Sequence, residues 1–181
     1  EALGDTTIVN ERGVTPTADE WQALMDATAV AVRTADVLVI SGSLPPGAPD
    51  DLLARLIRLG REAGAAVIVD TSGPALLQAA EAGASVLKPN QTELVEATGI
   101  EDPIAGARDL LHRGAGLVLL SRGADGMFAI TADRLVQAAP PAALAGNPTG
   151  AGDAAVAACA VLMDAGIHDP VRIIRRATAW S

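Results

Sequence analysis

The sequence of 181 residues contains one lysine, one cysteine, two histidines and no tyrosine. Because Lys88 precedes Pro89, the chain lacks the Gly-Lys-Ser/Thr sequence of a P-loop, so backbone amides would have to bind any phosphate. Cys159 can form no internal disulfide, and its apolar neighbours in sequence favour a buried thiol in a reducing compartment. His112 and His168 are far apart and lack cysteine neighbours, which argues against a zinc site.

Positive charge is also scarce. The formal net charge is -9, with 13 lysines and arginines against 22 aspartates and glutamates, which argues against binding to nucleic acid or to anionic membranes. No apolar stretch is long enough to span a bilayer, and the chain begins without the basic segment of a signal peptide. We therefore expect a soluble cytoplasmic protein, with residues 1–181 forming a single domain.

Short apolar runs alternate with amphipathic segments along most of the chain. Predicted strands cover residues 6–9, 37–40, 66–69, 85–87 and 117–120. Predicted helices cover residues 50–63, 74–82, 91–98 and 104–113, with others starting at Thr17, after Gly152 and at Asp169. A hairpin is predicted over residues 127–136. This alternation predicts an α/β protein with three αβα layers and a mostly parallel sheet with an antiparallel edge hairpin.

Polar residues and glycines collect where the predicted strands end. In an open parallel sheet, ligands bind outside the carboxyl ends of the strands. The polar residues at that edge are Ser43, Asp70, Lys88, Asn90 and Ser121. We therefore expect the functional site at this edge of the sheet.

The segment Gly150-Ala151-Gly152-Asp153 precedes an apolar run that is predicted to be helical. The two glycines would let backbone amides at the helix N-terminus face an anion. Asp153 would lie in the first turn, where a carboxylate could take a proton from an attacking hydroxyl. It could equally complement the helix dipole with Thr149 as the N-cap, and these residues alone favour that second interpretation.

Asn90 and Glu93 lie three residues apart at the start of another predicted helix. Their oxygens suit a hydrated Mg²⁺ that bridges to phosphates, and a helix capping box would explain them equally well. Asp70 could join the outer shell of the metal or cap the helix that follows Pro74. Residues 121–126 could form a glycine loop under a nucleotide, or only a flexible turn.

Three other enzyme classes fit less well. Gly150 to Ala155 matches the loose dinucleotide-binding pattern, but Pro148 precedes it where a Rossmann site needs a strand. No serine lies in the Gly-x-Ser-x-Gly sequence of many hydrolases. A Schiff-base enzyme would have to use Lys88, for which no dedicated acid or base is evident.

Taken together and in this order, the motifs resemble the ribokinase-like sugar kinases of the phosphofructokinase-B type. Residues 41–47, 69–73, 87–94 and 121–126 look like the phosphosugar branch, and residues 147–153 are similar to the second signature of the family. That branch comprises 1-phosphofructokinase, the minor 6-phosphofructokinase and tagatose-6-phosphate kinase. The resemblance implies a ribokinase-like fold and ATP-dependent, Mg²⁺-dependent phosphoryl transfer to a phosphosugar, with fructose 1-phosphate or fructose 6-phosphate as the expected acceptor.

The resemblance also implies roles for single residues. Asp153 would be the base that activates the sugar hydroxyl, and the amides of Gly150, Ala151 and Gly152 would form the anion hole. Ser43 would face the phosphosugar, and Lys88 would lie near the nucleotide phosphates. The metal is assigned to Asn90, Glu93 and Asp70, and the nucleotide to Lys88, Asn90, Ser121, Gly123, Asp125, Gly126 and Thr149.

Members of the family carry a sugar-binding acidic residue and a β lid upstream of the position of Glu1, and a further helix beyond Ser181 completes their adenine pocket. We therefore expect the chain to be the C-terminal half to two-thirds of a kinase that is a homodimer at full length. A kinase for an unphosphorylated sugar or a nucleoside is the alternative within this class. A non-catalytic nucleotide-binding fragment is the alternative outside it.

Overall fold

The computed structural model describes residues 13–140 and 149–181. The strand predicted over residues 6–9, and Asn147 and Pro148, lie outside the described residues. The helices are α1 Ala18–Ala31, α2 Leu52–Glu62, α3 Pro74–Glu81, α4 Gln91–Thr98, α5 Pro103–Arg113, α6 Ala151–Asp164 and α7 Pro170–Trp180. The strands are β1 Val37–Ser41, β2 Ala66–Asp70, β3 Val86–Leu87, β4 Leu117–Ser121, β5 Met127–Ile130 and β6 Leu135–Ala138.

The strands form one sheet in the order β1-β2-β3-β4-β5-β6. β1 to β4 are parallel, whereas β5 pairs antiparallel with β4, and β6 pairs antiparallel with β5. The predicted mostly parallel sheet with an antiparallel edge hairpin is therefore confirmed. β1, β2 and β4 each run one residue further than predicted, so Ser41, Asp70 and Ser121 are the last residues of their strands.

Helices cover both faces of the sheet, because alternate residues of a strand point to opposite faces. Val67 and Val69 pack in one buried cluster with residues of α2, α3 and α5. Ile68, between them, packs in a second cluster with α6 and α7. The three αβα layers that the sequence predicts are thus present, and α1 packs against α2 through Met25.

Local capping chemistry sets most helix starts. Thr17 and Glu20 form a capping box at the predicted start of α1. α5 begins at Pro103, one residue before its predicted start, because Asp102 accepts the amide of Ala105 and Pro103 suits the first helical position. The assignment of Thr149 as the N-cap of α6 is wrong. Gly150 occupies that position with a φ of +87°, a conformation that glycine adopts without steric strain.

Cys159, a residue of α6, is fully buried in the second cluster. This burial agrees with its interpretation as a small hydrophobic residue. Among the described residues, the longest helices fall short of the length and apolar character that crossing a bilayer requires.

Candidate active site

Strand alternation brings polar side chains from three strands to one corner of the sheet. Ile68 and Val86 contact the layer of α6 and α7, and Asp70 and Lys88 lie two residues further along, on the same face. Ser41 is paired in register with Asp70. The carboxyl ends of β1, β2 and β3 therefore converge beside the N-terminus of α6.

A cavity of about 220 Å³ lies at this corner. Its lining consists of Ser41, Gly42, Ser43, Asp70, Thr71, Ser72, Glu93 and Asp153. A second cavity, of about 260 Å³, shares Ser43, Thr71 and Ser72 with it and extends to Gln78. Ser43, Asp70, Glu93 and Asp153, which the sequence assigns to three different subsites, are thus brought together at one site.

Asp153 lies in the first turn of α6, where its Oδ1 accepts a hydrogen bond from Ser41 Oγ at 3.3 Å. The residue is exposed on the cavity side. No role is predicted for Ser41 from the sequence, although the alternation along β1 places it on the face that α6 covers. This hydrogen bond joins residues 112 positions apart in the chain.

Asn90 and Glu93 form a capping box at the start of α4. The amide of Glu93 donates to Asn90 Oδ1 at 2.8 Å, and the amide of Asn90 donates to Glu93 Oε2 at 2.9 Å. The structural interpretation of this pair is therefore confirmed, and Glu93 nevertheless lines the cavity. Asp70 does not cap α3, because Gly73 is the N-cap of that helix.

Asp70 instead forms an ion pair with Lys88, with Oδ2 and Nζ 3.1 Å apart. The side chains are only 17% and 7% exposed, respectively. Burial raises the pKa of the Asp70 carboxyl above its ordinary value; Lys88 opposes this shift, and the charges of Glu93 and Asp153 add to it. A Cβ atom on Gly152 would lie 3.2 Å from Lys88 Nζ, so the ammonium lies against the first turn of α6.

The residues assigned to the nucleotide continue from the same edge of the sheet. The amide of Ser121 donates to the carbonyl of Pro89 at 3.0 Å, and Ser121 bridges to Asn90. A short 3₁₀ turn, Gly123–Asp125, follows, and these residues lie outside the lining of the 220 Å³ cavity. Thr149 immediately precedes Gly150, the N-cap of α6.

Arg122 is a second residue to which the sequence assigns no role. Its guanidinium lies 4.6 Å from the centre of the Phe128 ring and 3.5 Å from Asp125 Oδ2. These contacts join the turn to β5. Asp125 therefore has a partner within its own loop, and its assignment to the nucleotide stays a prediction.

The described residues contain no group of three or more histidines, cysteines, aspartates or glutamates arranged to hold a metal ion directly. Glu93, Asp70 and Asp153 instead surround open space of several water volumes. This arrangement suits a cation that keeps most of its water ligands, as Mg²⁺ does.

Comparisons with known proteins bear on the family of the chain and on its fold. Residues 1–181 match the family model for the pfkB family carbohydrate kinases. The chain is 39% identical over 159 residues to 1-phosphofructokinase of Rhodobacter capsulatus, a match that covers 85% of this chain and 50% of that protein.

Solved structures are similar over nearly the whole chain. Phosphofructokinase-2 from Escherichia coli in complex with fructose-6-phosphate matches with a TM-score of 0.86 and 30% identity, over 99% of this chain and 60% of that one. Arabidopsis thaliana ribokinase complexed with ribose and ATP matches with a TM-score of 0.69 and 25% identity, over 93% and 53%. The ribokinase-like fold is confirmed, and the chain spans between half and three-fifths of the length of these proteins.

Proposed function

The chain belongs to the pfkB family of carbohydrate kinases, and from that premise we propose that the protein transfers a phosphoryl group from ATP to a hydroxyl of a phosphosugar. Fructose 1-phosphate and fructose 6-phosphate are the proposed acceptors, with tagatose 6-phosphate as a further candidate. The observation that carries the proposal is the position of Asp153, a carboxylate beside the N-terminal amides of α6 and facing a polar cavity. The similarity to proteins named for phosphofructokinase activity supports the substrate class.

Asp153 is the proposed general base. The acceptor hydroxyl enters the cavity and gives its proton to the carboxylate as its oxygen attacks the γ-phosphorus. The bond between that phosphorus and the β–γ bridging oxygen of ATP breaks, and ADP leaves. Ser41 donates a hydrogen bond to Oδ1, which restricts the rotation of the carboxylate and leaves Oδ2 to face the acceptor. Ser43, which lines both cavities, contacts the phosphosugar.

The amides of Gly150, Ala151 and Gly152 are the proposed anion hole. They lie at the N-terminus of a 14-residue helix, where amides without intrahelical partners and the helix dipole favour negative charge. Donors placed in this way stabilise charge that develops in the transition state, commonly by a factor of about 10² to 10³ each. Lys88 adds a positive charge beneath them.

Asn90 and Glu93 are the proposed residues for Mg²⁺, which they would contact through water. When bound, the metal neutralises phosphate charge and orients the nucleotide. Ser121, Gly123, Asp125, Gly126 and Thr149 are proposed to line the nucleotide. The position of Glu93 supports the metal assignment, because this residue lines the polar cavity that Asp153 also lines.

A kinase for an unphosphorylated sugar is the second candidate. The similarity to a ribokinase complexed with ribose and ATP favours it. The loop Ser43-Leu44-Pro45-Pro46-Gly47, which resembles the phosphosugar branch, argues against it.

The test is an assay of the natural full-length protein with Mg-ATP, in which ADP release and phosphorylated product are both measured. Fructose 1-phosphate, fructose 6-phosphate and tagatose 6-phosphate are compared with fructose, ribose and a sample without acceptor. We expect kcat/KM for one phosphosugar to exceed that for any unphosphorylated sugar by about 100-fold or more. A preference for ribose would favour the second candidate, and ATP binding without transfer would favour a non-catalytic nucleotide-binding protein.

A further inference from the structure

We propose that Asp70 is a positioning residue, which holds the Lys88 ammonium against the first turn of α6 so that this charge is aimed at the transferred phosphoryl group. The inference rests on the proposed function, because it takes the N-terminus of α6 as the anion hole. It gives Asp70 a role different from the outer metal shell.

Three elements meet at this contact. Asp70 ends β2, Lys88 follows β3, and Gly152 lies in the first turn of α6. The amide of Lys88 donates to the carbonyl of Val69 at 3.1 Å, which fixes the backbone of the lysine beside that of Asp70. The two side chains therefore start close together, and Asp70 Oδ2 and Lys88 Nζ lie 3.1 Å apart.

Burial of the pair argues for a functional origin. Lys88 is 5% exposed when its backbone is counted with its side chain, and it is the only lysine among 181 residues. Removing two charges from water offsets much of their attraction, so apolar residues of similar volume often stabilise a protein as well or better. Stability alone therefore gives little reason to keep a buried lysine here, beside the Asp70 carboxylate that lines the polar cavity.

Gly152 supports the same conclusion. Its φ lies outside the left-handed region, so its backbone conformation does not require glycine. The space at this position favours glycine, because a Cβ atom would lie 3.2 Å from Lys88 Nζ and the ammonium would have to move by a few tenths of an ångström. The absence of a side chain allows the ammonium to approach the helix start closely.

The negative charge of Asp70 has two expected effects on an anion at α6. It reduces the attraction of Lys88 for the anion in the ground state, and it prevents the ammonium from moving to follow that anion. Preorganised charge of this kind favours the transition state over the ground state. Neutralising Asp70 should therefore tighten ground-state anion binding and slow transfer, which loss of a metal site or of folding would not do.

The experiment compares the wild-type full-length protein with Asp70→Asn, with Gly152→Ala and with the double variant. Asp109→Asn is the matched control, because it removes an ion pair with Arg113 on the surface of α5. The measurements are kcat, the Mg²⁺ concentration for half-maximal activity, the melting temperature and calorimetric binding of ADP without Mg²⁺.

For Asp70→Asn we expect kcat to fall at least about tenfold and ADP to bind about three- to tenfold more tightly, because an opposing charge near the anion is removed. The Mg²⁺ requirement should not change. Gly152→Ala displaces the same ammonium. The kcat of the double variant should therefore lie within about threefold of the kcat of the slower single variant.

Weaker ADP binding by Asp70→Asn, a raised Mg²⁺ requirement or additive effects in the double variant would overturn the proposal. If Asp70→Asn does not fold, Asp70→Glu decides the question: kcat should fall while ADP affinity stays within about twofold of wild type, since the charge is kept and only its position changes. A wild-type protein that binds ADP without transferring phosphate would contradict the proposed function and, with it, this role of Asp70. An active wild-type protein whose ADP affinity is not raised by Asp70→Asn would contradict the role of Asp70 alone.

Discussion

Glu93 is placed for both a structural role and a functional one. Its Oε2 accepts the amide of Asn90 and completes the capping box of α4, while the residue also lines the cavity that contains Asp153. A glutamine at this position would still complete the box. A substitution that keeps the cap and removes the charge therefore separates the two roles.

Glu93→Gln should raise the Mg²⁺ concentration for half-maximal activity by about tenfold, because a neutral amide orients metal-bound water less well. The melting temperature should stay nearly constant. The control is Glu20→Gln, at the same position of the capping box of α1 and away from the cavity. A Mg²⁺ titration that is identical for Glu93→Gln and wild type would leave Glu93 with its capping role alone.

Cys159 provides a reporter at the residue scale. Burial raises the pKa of its thiol to about 12, so the reactive thiolate is scarce at pH 8 and the sulfur is covered. Alkylation of the peptide that contains Cys159, followed by mass spectrometry, should be very slow in the native protein and should rise with urea in parallel with the loss of circular dichroism. Rapid alkylation without urea would contradict the packing of α6 against the sheet.

At the scale of elements, the turn between β4 and β5 depends on close backbone approach. Gly126 has a φ of +83°, and a Cβ atom there would collide with the carbonyl oxygen of Ala138. Gly123 also has positive φ, but a Cβ atom there would meet nothing within 4 Å. The two glycines of one loop therefore differ in a way that a substitution can measure.

Gly123→Ala should lower the free energy of unfolding by about 1 to 2 kcal/mol, the approximate cost of the left-handed conformation. Gly126→Ala should lower it by more than about 3 kcal/mol, because the backbone of β6 must also move. Urea unfolding of the two variants measures the difference. Equal losses of stability would mean that β6 adjusts freely and does not hold the loop.

The elements differ in how far the sequence predicts them. α4 is found at its predicted bounds, and the hairpin starts at Met127 as predicted, because capping residues and short apolar runs delimit them. The N-cap of α6 was predicted wrongly, since a left-handed glycine at Gly150 replaces the side-chain cap that Thr149 could have supplied. The stacking of Arg122 on Phe128 and the ion pair of Asp70 with Lys88 depend on packing between elements, which sequence periodicity does not specify.

At the scale of the whole molecule, the sheet gathers residues from most of the chain at one edge. Ser41, Asp70 and Glu93 come from successive βα units, and Asp153 follows the hairpin. Strand alternation and the carboxyl-end rule predict this convergence, and they do not predict which oxygens contact each other. A single domain, a cytoplasmic location and a homodimeric full-length protein stay predictions.

The central claim is that this edge performs phosphoryl transfer with Asp153 as the base. The most direct test is kcat of Asp153→Asn in the full-length protein, with Asp164→Asn, at the other end of α6, as the matched control. The amide has nearly the same shape and can still accept the hydrogen bond from Ser41, so the melting temperature should be retained, and ADP should bind at least as tightly as to the wild-type protein.

We expect kcat of Asp153→Asn to fall by about 10²- to 10⁴-fold while that of Asp164→Asn stays close to wild type. An Asp153→Asn protein that keeps more than about a tenth of the wild-type kcat would contradict the role of Asp153 as the base, because general-base catalysis contributes more than that.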